Sequence, residues 1–450
     1  MTGYIAMVCI ALAVTACSAT PKKQAATPAR IAEVEIEDLS RIPQDFTKLT
    51  VPASGQVSIS ESCGEQLLHD FKKRYFSRWT SSVPLYDHGE TRDFMKKETR
   101  GAWYGTNKRK VLRKQMREFL ENCDLDSFPS RNDSAIAVAP GHLRGLPTRV
   151  PFYERSDGAP FDMLSYPQVK LNEPLRVLHS SKDGVWLFVE NGYSNGWLER
   201  RDVALVDRDF IDSWIGAQHL VIVQDYQPVS DGRGIATFPA KIGTILPLAE
   251  AGESWWEVRV ASAGEGGRAE LRSSRIPKSA AAPFPLGFSR ESVALIGNQL
   301  LGQPYGWGES FGLRDCSALL RDFFLPFGIW LPRTSLDQMA SIPQRLEIGS
   351  LAPSQKEEAI KMKALPFLTL IYKPGHVMLY AGEDSGGRPL VFHSAWSIAV
   401  KEGEGTQTRI IGTSALTSTE PGKELGLAPG RSLLERATEL ATVTDRCTKR

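Results

Sequence analysis

Apolar positions change their spacing several times along the chain, and each change marks a different kind of element. Residues 4–16, YIAMVCIALAVTA, form a continuous apolar run that is too short to cross a bilayer as a stable helix and reads as the core of an export signal, residues 1–17. Residues 18–45, which include PKKQAATPAR, show little apolar periodicity and are expected to be a flexible tether. From 46 to 135, CGEQLLHDFKKRYFSRW and NKRKVLRKQMREFLENC repeat their apolar residues at helical spacing, which predicts a helical N-terminal domain. Between 143 and 205, and again between 206 and 280, short alternating runs such as VWLFV and WWEVRV are broken by turn residues, which predicts two small β-barrels. AAAPFPLG, around 280–287, interrupts both periods and predicts a linker, so that a last domain spans 285–445.

Composition narrows the function classes. A chain of 450 residues exceeds one ordinary core, in keeping with several domains. With 42% hydrophobic and 24% charged residues it is globular, and a net charge of +2 spread along the chain gives no reason to expect nucleic acid. Cysteines stand at 9, 17, 63, 123, 316 and 447. Cys63 and Cys123 bracket the helical segment and are candidates for a disulfide in an oxidising compartment. No CxxC or histidine cluster has metal-ligand spacing, so neither a metal nor a cofactor is expected.

The stretch GQPYGWGESFGLRDCSALLRDFFLPFG, from Gly302 to Gly328, carries the chemistry. Gly306, Gly308 and Gly312 predict a loop, Asp315 a helix cap, and CSALLRDFF a helix that Pro326 and Gly328 end. Cys316 thus falls at a helix N-terminus, where unpaired N–H groups favour a thiolate; with a histidine near, the expected thiol pKa lies below the ordinary value of about 8.5. Downstream, HVMLYAG and PLVFHSA flank the turn EDSGGR, a hairpin that sets His376 and His393 on adjacent strands away from the turn. Cys316 as nucleophile, His376 as base and then acid, and His393 as the group that orients His376 make a papain-like set.

Several resemblances attach to these residues. VTAC, ending at Cys17, resembles the lipobox of bacterial lipoproteins, although MTGYIAM lacks the usual Lys or Arg. It implies acylation of Cys17 and a lipid-anchored chain at the periplasmic face of a membrane, with Ser18 leaning towards the outer one. DGVWLFV with GWLERRDVAL, and AKIGTILPLAEAGESWWEVRV, resemble bacterial SH3-like barrels. RDCSALL, PGH at 374–376 and VFH at 391–393 resemble the NlpC-type cell-wall endopeptidases. LPRTSLDQ, from Leu331 to Gln338, resembles the subset with a helical N-terminal domain and two SH3-like domains.

That resemblance implies an α+β chain ending in a papain-like domain, a helix packed on an antiparallel sheet. It further implies hydrolysis of the bond between γ-D-glutamate and the diamino acid of peptidoglycan stem peptides that begin with a free L-alanine. Tyr305 is then expected to assist the oxyanion, and Asp315, Ser317 and Ser335 to hold the amine and the glutamyl carboxylate. Asp315 can equally serve only as a helix cap. Tyr193 and Trp197, on the loop before a strand of the first barrel, are further candidates for substrate contact, whereas Trp79, Trp103, Trp186, Trp255 and Trp256 are expected to pack the cores. Ala318 and Glu309 depart from the family pattern, and Glu309 is expected to change the charge of the cleft. Two other functions compete: a peptidoglycan-binding protein with a silent last domain, and an amidase or acyltransferase on the same fold.

Overall fold

A computed structural model of the chain describes residues 36–50, 58–403 and 405–447. The expected export signal, Cys17 and most of the expected tether lie outside the described residues. The end of that tether is packed. Helix Glu37–Arg41 and the turn Phe46–Lys48 lie against the last domain, where Asp38 accepts the N–H and hydroxyl of Ser418 (2.8 and 2.7 Å). Gln44 bonds the backbone N–H and carbonyl of Leu416 (2.9 and 2.8 Å).

The helical segment follows its apolar spacing. In helix Glu61–Tyr75, Ser60 caps the N-terminus and Cys63, Leu67, Phe71 and Tyr75 recur every fourth residue, which buries one face. Helices His88–Glu98 and Arg113–Asn122 contribute Met95 and Met116 to a second core under the first β unit, where Cys123 is also buried. This separation corrects the disulfide expectation. Cys63 belongs to the large core shared with the last domain, Cys123 to the other, and Cys63 is bonded to Cys447 (Cα–Cα 5.3 Å) while Cys123 is a free thiol.

The first β unit is a seven-stranded antiparallel sheet that begins with Asp133–Ala137, ahead of residue 143, and ends with Val203–Leu205. Helix Arg208–Ile215 leads into the second, a five-stranded sheet with a separate two-stranded ribbon. Its edge strand Ala281–Pro283 pairs with His219–Ile222, so part of the expected linker is sheet. The last domain packs helices Arg290–Leu300 and Cys316–Phe324 beside a six-stranded antiparallel sheet. Within it the order is 346–347, 439–442, 369–373, 376–383, 389–402 and 405–418. Phe46, Phe323 and Phe392 fill the space behind the histidine strands, with Phe46 edge-on to Phe392 at 5.0 Å.

Candidate active site

Left-handed backbone shapes the loop before Cys316. Gly308, Glu309, Phe311 and Gly312 have φ of 57°, 64°, 60° and 71°, and two of these residues are not glycine. Glu309 is held there by a buried ion-pair network: both its oxygens meet Arg321 at 2.9 Å, and one meets Arg333 at 2.7 Å. Arg321 also reaches Asp322, which pairs with Lys170 of the first β unit (2.7 Å) and with Arg314 (2.8 Å). Arg314 in turn forks onto Asp225 of the second unit (2.7 and 2.9 Å). Both β units are thus ionically fastened to the catalytic helix. Glu309 is fully buried, so it does not charge the cleft as expected; Arg321 and Arg333 hold its pKa down at about 2 against burial.

Asp315 caps the helix by accepting the Ala318 N–H (2.9 Å), and Arg333 faces its carboxylate at 2.6 Å. Ser317 accepts from Arg333 (2.9 Å) and donates to Asp315 (3.2 Å). Tyr305 is half-buried near Cys316, and its phenol is pushed up by burial, then by the Asp315 and Cys316 charges. Ser335 opens helix Ser335–Ala340, two residues beyond Arg333, and is half-buried.

Cys316 is the first residue of its helix and is almost fully buried. The Val377 N–H on the histidine strand and its neighbour Ser317 N–H favour the thiolate, as does Arg333. Burial and then the Asp315 carboxylate oppose them and win, so the thiol is pushed up to about 11. The expected lowering of this thiol is therefore corrected: the resting sulfur keeps its proton.

His376 and His393 stand on adjacent strands, with Nε2 of His376 2.9 Å from Nδ1 of His393. Nε2 of His393 lies 3.0 Å from Thr417 Oγ1. The only hydroxyl hydrogen of Thr417 goes to the Ser418 carbonyl (2.8 Å), so its oxygen accepts from His393. This fixes both tautomers. His393 carries its proton on Nε2 and accepts on Nδ1, His376 donates through Nε2, and its Nδ1 is left with a lone pair. Burial holds both imidazoles neutral, pushing His376 well below the usual range and His393 down to about 3, with Lys373 adding to each effect.

Of the two barrel residues expected to touch substrate, Trp197 is buried away from any cleft and Tyr193 packs against the last domain. Trp197 is fully buried in the first unit, edge-on to Phe188 at 5.4 Å, because strand alternation turns it inward. Tyr193 is partly buried and stacked on Trp330 of the last domain (3.9 Å), with Arg321 over its ring, and so joins two domains. Phe161 of the first unit lies edge-on to Trp307 (5.4 Å) and Trp396 (5.5 Å), with Trp396 6.0 Å from Tyr305. Thr417 and Phe161 belong to no local motif and were not singled out by sequence; Arg333 lies within LPRTSLDQ, but its role as the partner of Asp315 and Glu309 was not read from it.

Comparison with known proteins agrees with this architecture. Residues 6–128 match the model of the N-terminal NLPC_P60 stabilising domain. Residues 151–199 match an SH3 domain of the SH3b1 type, 207–253 one of the SH3b2 type, and 302–404 the NlpC/P60 family. The chain therefore carries an NlpC/P60 domain behind a stabilising domain and two SH3 domains. Among solved structures, an NlpC/P60 endopeptidase from Photobacterium damselae subsp. piscicida aligns over 90% of this chain and 97% of its own, with 22% identity and a TM-score of 0.81. That likeness establishes a shared fold. An NlpC/P60 family protein from Bacillus cereus aligns over 69% of this chain and 99% of its own at 14% identity and a TM-score of 0.46, too loose to weigh. No curated protein matches the chain.

Proposed function

We propose that the protein is a cysteine endopeptidase that hydrolyses the bond between γ-D-glutamate and the diamino acid in peptidoglycan stem peptides with a free N-terminal L-alanine. The observation that carries it is the relay from Thr417 through His393 to His376, which leaves an unprotonated Nδ1 to serve the cysteine. Cys316 gives its proton to His376 as the sulfur attacks the γ-carbonyl carbon, and the Cys316 N–H and Tyr305 hydroxyl receive the developing oxyanion. His376 then protonates the departing amine, which breaks the C–N bond and leaves a thioester on Cys316. Water, deprotonated by the same imidazole, opens the thioester and frees L-Ala-D-Glu, and the proton returns to sulfur. Asp315, shared between Arg333 and the substrate amine, and Ser317 and Ser335, near the glutamyl carboxylate, account for selection of a short free terminus.

The same proposal places the chain at the periplasmic face of a bacterial membrane through an acylated Cys17, supported by the sequence VTAC; metabolic labelling with a fatty acid, abolished in Cys17→Ala, tests it. For the activity, L-Ala-γ-D-Glu-diaminopimelate is digested with its N-terminus free or acetylated, and the products are weighed by mass spectrometry. Release of L-Ala-D-Glu from the free peptide is expected. Ligand binding without cleavage would favour a silent wall-binding domain, and scission at another bond an amidase.

A further inference from the structure

The histidine side of the site adjoins a small basic cavity. Its volume is about 160 Å³, and Lys373, Arg431 and Arg436 line it together with Ser397, Ser432 and Ile398. Lys373 is paired with His376 across the turn at Pro374 and Gly375 and acts electrostatically on Cys316, His376 and His393. Ser397 follows His393 on the same strand. Among the described residues none of the three cations, half-buried Lys373 and Arg436 and exposed Arg431, has an ion-pair or hydrogen-bond partner for its side chain, whereas the buried Lys170, Arg314 and Arg321 are ion-paired. The nearby Glu435 accepts the backbone N–H groups of Gly430 and Ser432 and forms no ion pair with any of the three. Burial, then the Arg436 charge, hold Lys373 below the usual amine range.

The chemistry says which part of a substrate reaches this cavity. His376 must protonate the departing amine, so the leaving group lies on the imidazole side, and Asp315, Ser317 and Arg333 lie on the helix side. Resting on the function proposed above, we infer that Lys373, Arg431 and Arg436 form a subsite for a carboxylate of the leaving diamino acid. Diaminopimelate carries such a group at its distal end beside an ammonium, whereas L-lysine brings the ammonium against three like charges with no carboxylate to offset it. Its α-carboxylate, free in a tripeptide, is the second source of the same chemistry.

The test uses full-length protein and four peptides: L-Ala-γ-D-Glu-meso-diaminopimelate, its distal amide, its α-amide, and the L-lysine counterpart. Wild-type kcat/KM for the parent is expected to exceed that for the lysine peptide by about tenfold or more. In Arg431→Gln and Arg436→Gln that ratio is expected to fall to within about threefold. Arg431 is exposed, so its variant gives a result even if Arg436→Gln folds poorly. A loss confined to the distal amide assigns the distal carboxylate, and one confined to the α-amide the other. Ratios near one in wild type, or ratios unchanged in the variants while L-Ala-D-Glu is still released, overturn the subsite. Failure of wild type to cut any of the four overturns the proposed function itself.

Discussion

Thr417 Oγ1 accepts the Nε2–H of His393 because its own hydrogen is committed to the Ser418 carbonyl. That single direction passes through the pair of imidazoles and decides which nitrogen of His376 is free to take a proton. Asp38 and Gln44 pin the neighbouring residues Ser418 and Leu416, so the N-terminal segment of the chain holds the strand on which the relay ends.

Removing links of this relay is expected to cost activity in a graded order. His376→Ala loses turnover by about 10³-fold or more, since both base and acid go. His393→Asn is milder, because an amide can still accept from His376 Nε2. Thr417→Val, close in shape, lowers kcat roughly tenfold with KM little changed, and the orphaned His393 N–H costs about 1–3 kcal/mol of stability. Steady-state kinetics and thermal melts on the three variants check the order; equal loss in His393→Asn and His376→Ala would mean that His393 does more than orient.

Cys316 rests as a thiol pushed up to about 11. The thiolate fraction in the free enzyme therefore increases as pH rises towards that value. Alkylation of Cys316 by iodoacetamide is expected to accelerate roughly tenfold per pH unit from pH 7 to 9. A rate already flat above pH 5 would indicate a preformed thiolate with an imidazolium partner instead.

Glu309 is the shared counter-ion of Arg321 and Arg333 inside the buried network. Glu309→Gln leaves two buried guanidiniums short of a partner and is expected to destabilise the fold by about 3–5 kcal/mol. Urea unfolding measures this. Activity falls with it, because Arg333 also holds Asp315 and Ser317.

The bond between Cys63 and Cys447 closes nearly the whole chain. Cys447→Ser is expected to lower stability by about 2–5 kcal/mol and leave turnover at 25 °C near that of wild type. Peptide mapping without reduction should find 63 joined to 447 and Cys123 free; a peptide joining 63 to 123 would contradict the arrangement of the two cores.

What was legible in the sequence was local. The glycine loop, the Asp315 cap and the hairpin turn each occupy a few consecutive residues, and they sufficed to bring Cys316, His376 and His393 to one place in expectation. Thr417 entered from the next strand, opposite Val391, through a register that no turn near His393 encodes. The ion-pair network draws Lys170 and Asp225 from two other domains, and such contacts leave no periodic trace. Trp197 was misjudged because its loop was weighed and its strand alternation was not. The thiol was misjudged because a helix N-terminus is visible in sequence and the burial that outweighs it is not.

The central claim is that Cys316 cleaves the γ-D-glutamyl bond. Its most direct measurement compares wild type and Cys316→Ala on free L-Ala-γ-D-Glu-diaminopimelate, with released L-Ala-D-Glu quantified by mass spectrometry and folding checked by circular dichroism. Release by wild type and none by the equally folded variant is the expected result. Equal release by both, or none by wild type, would contradict it.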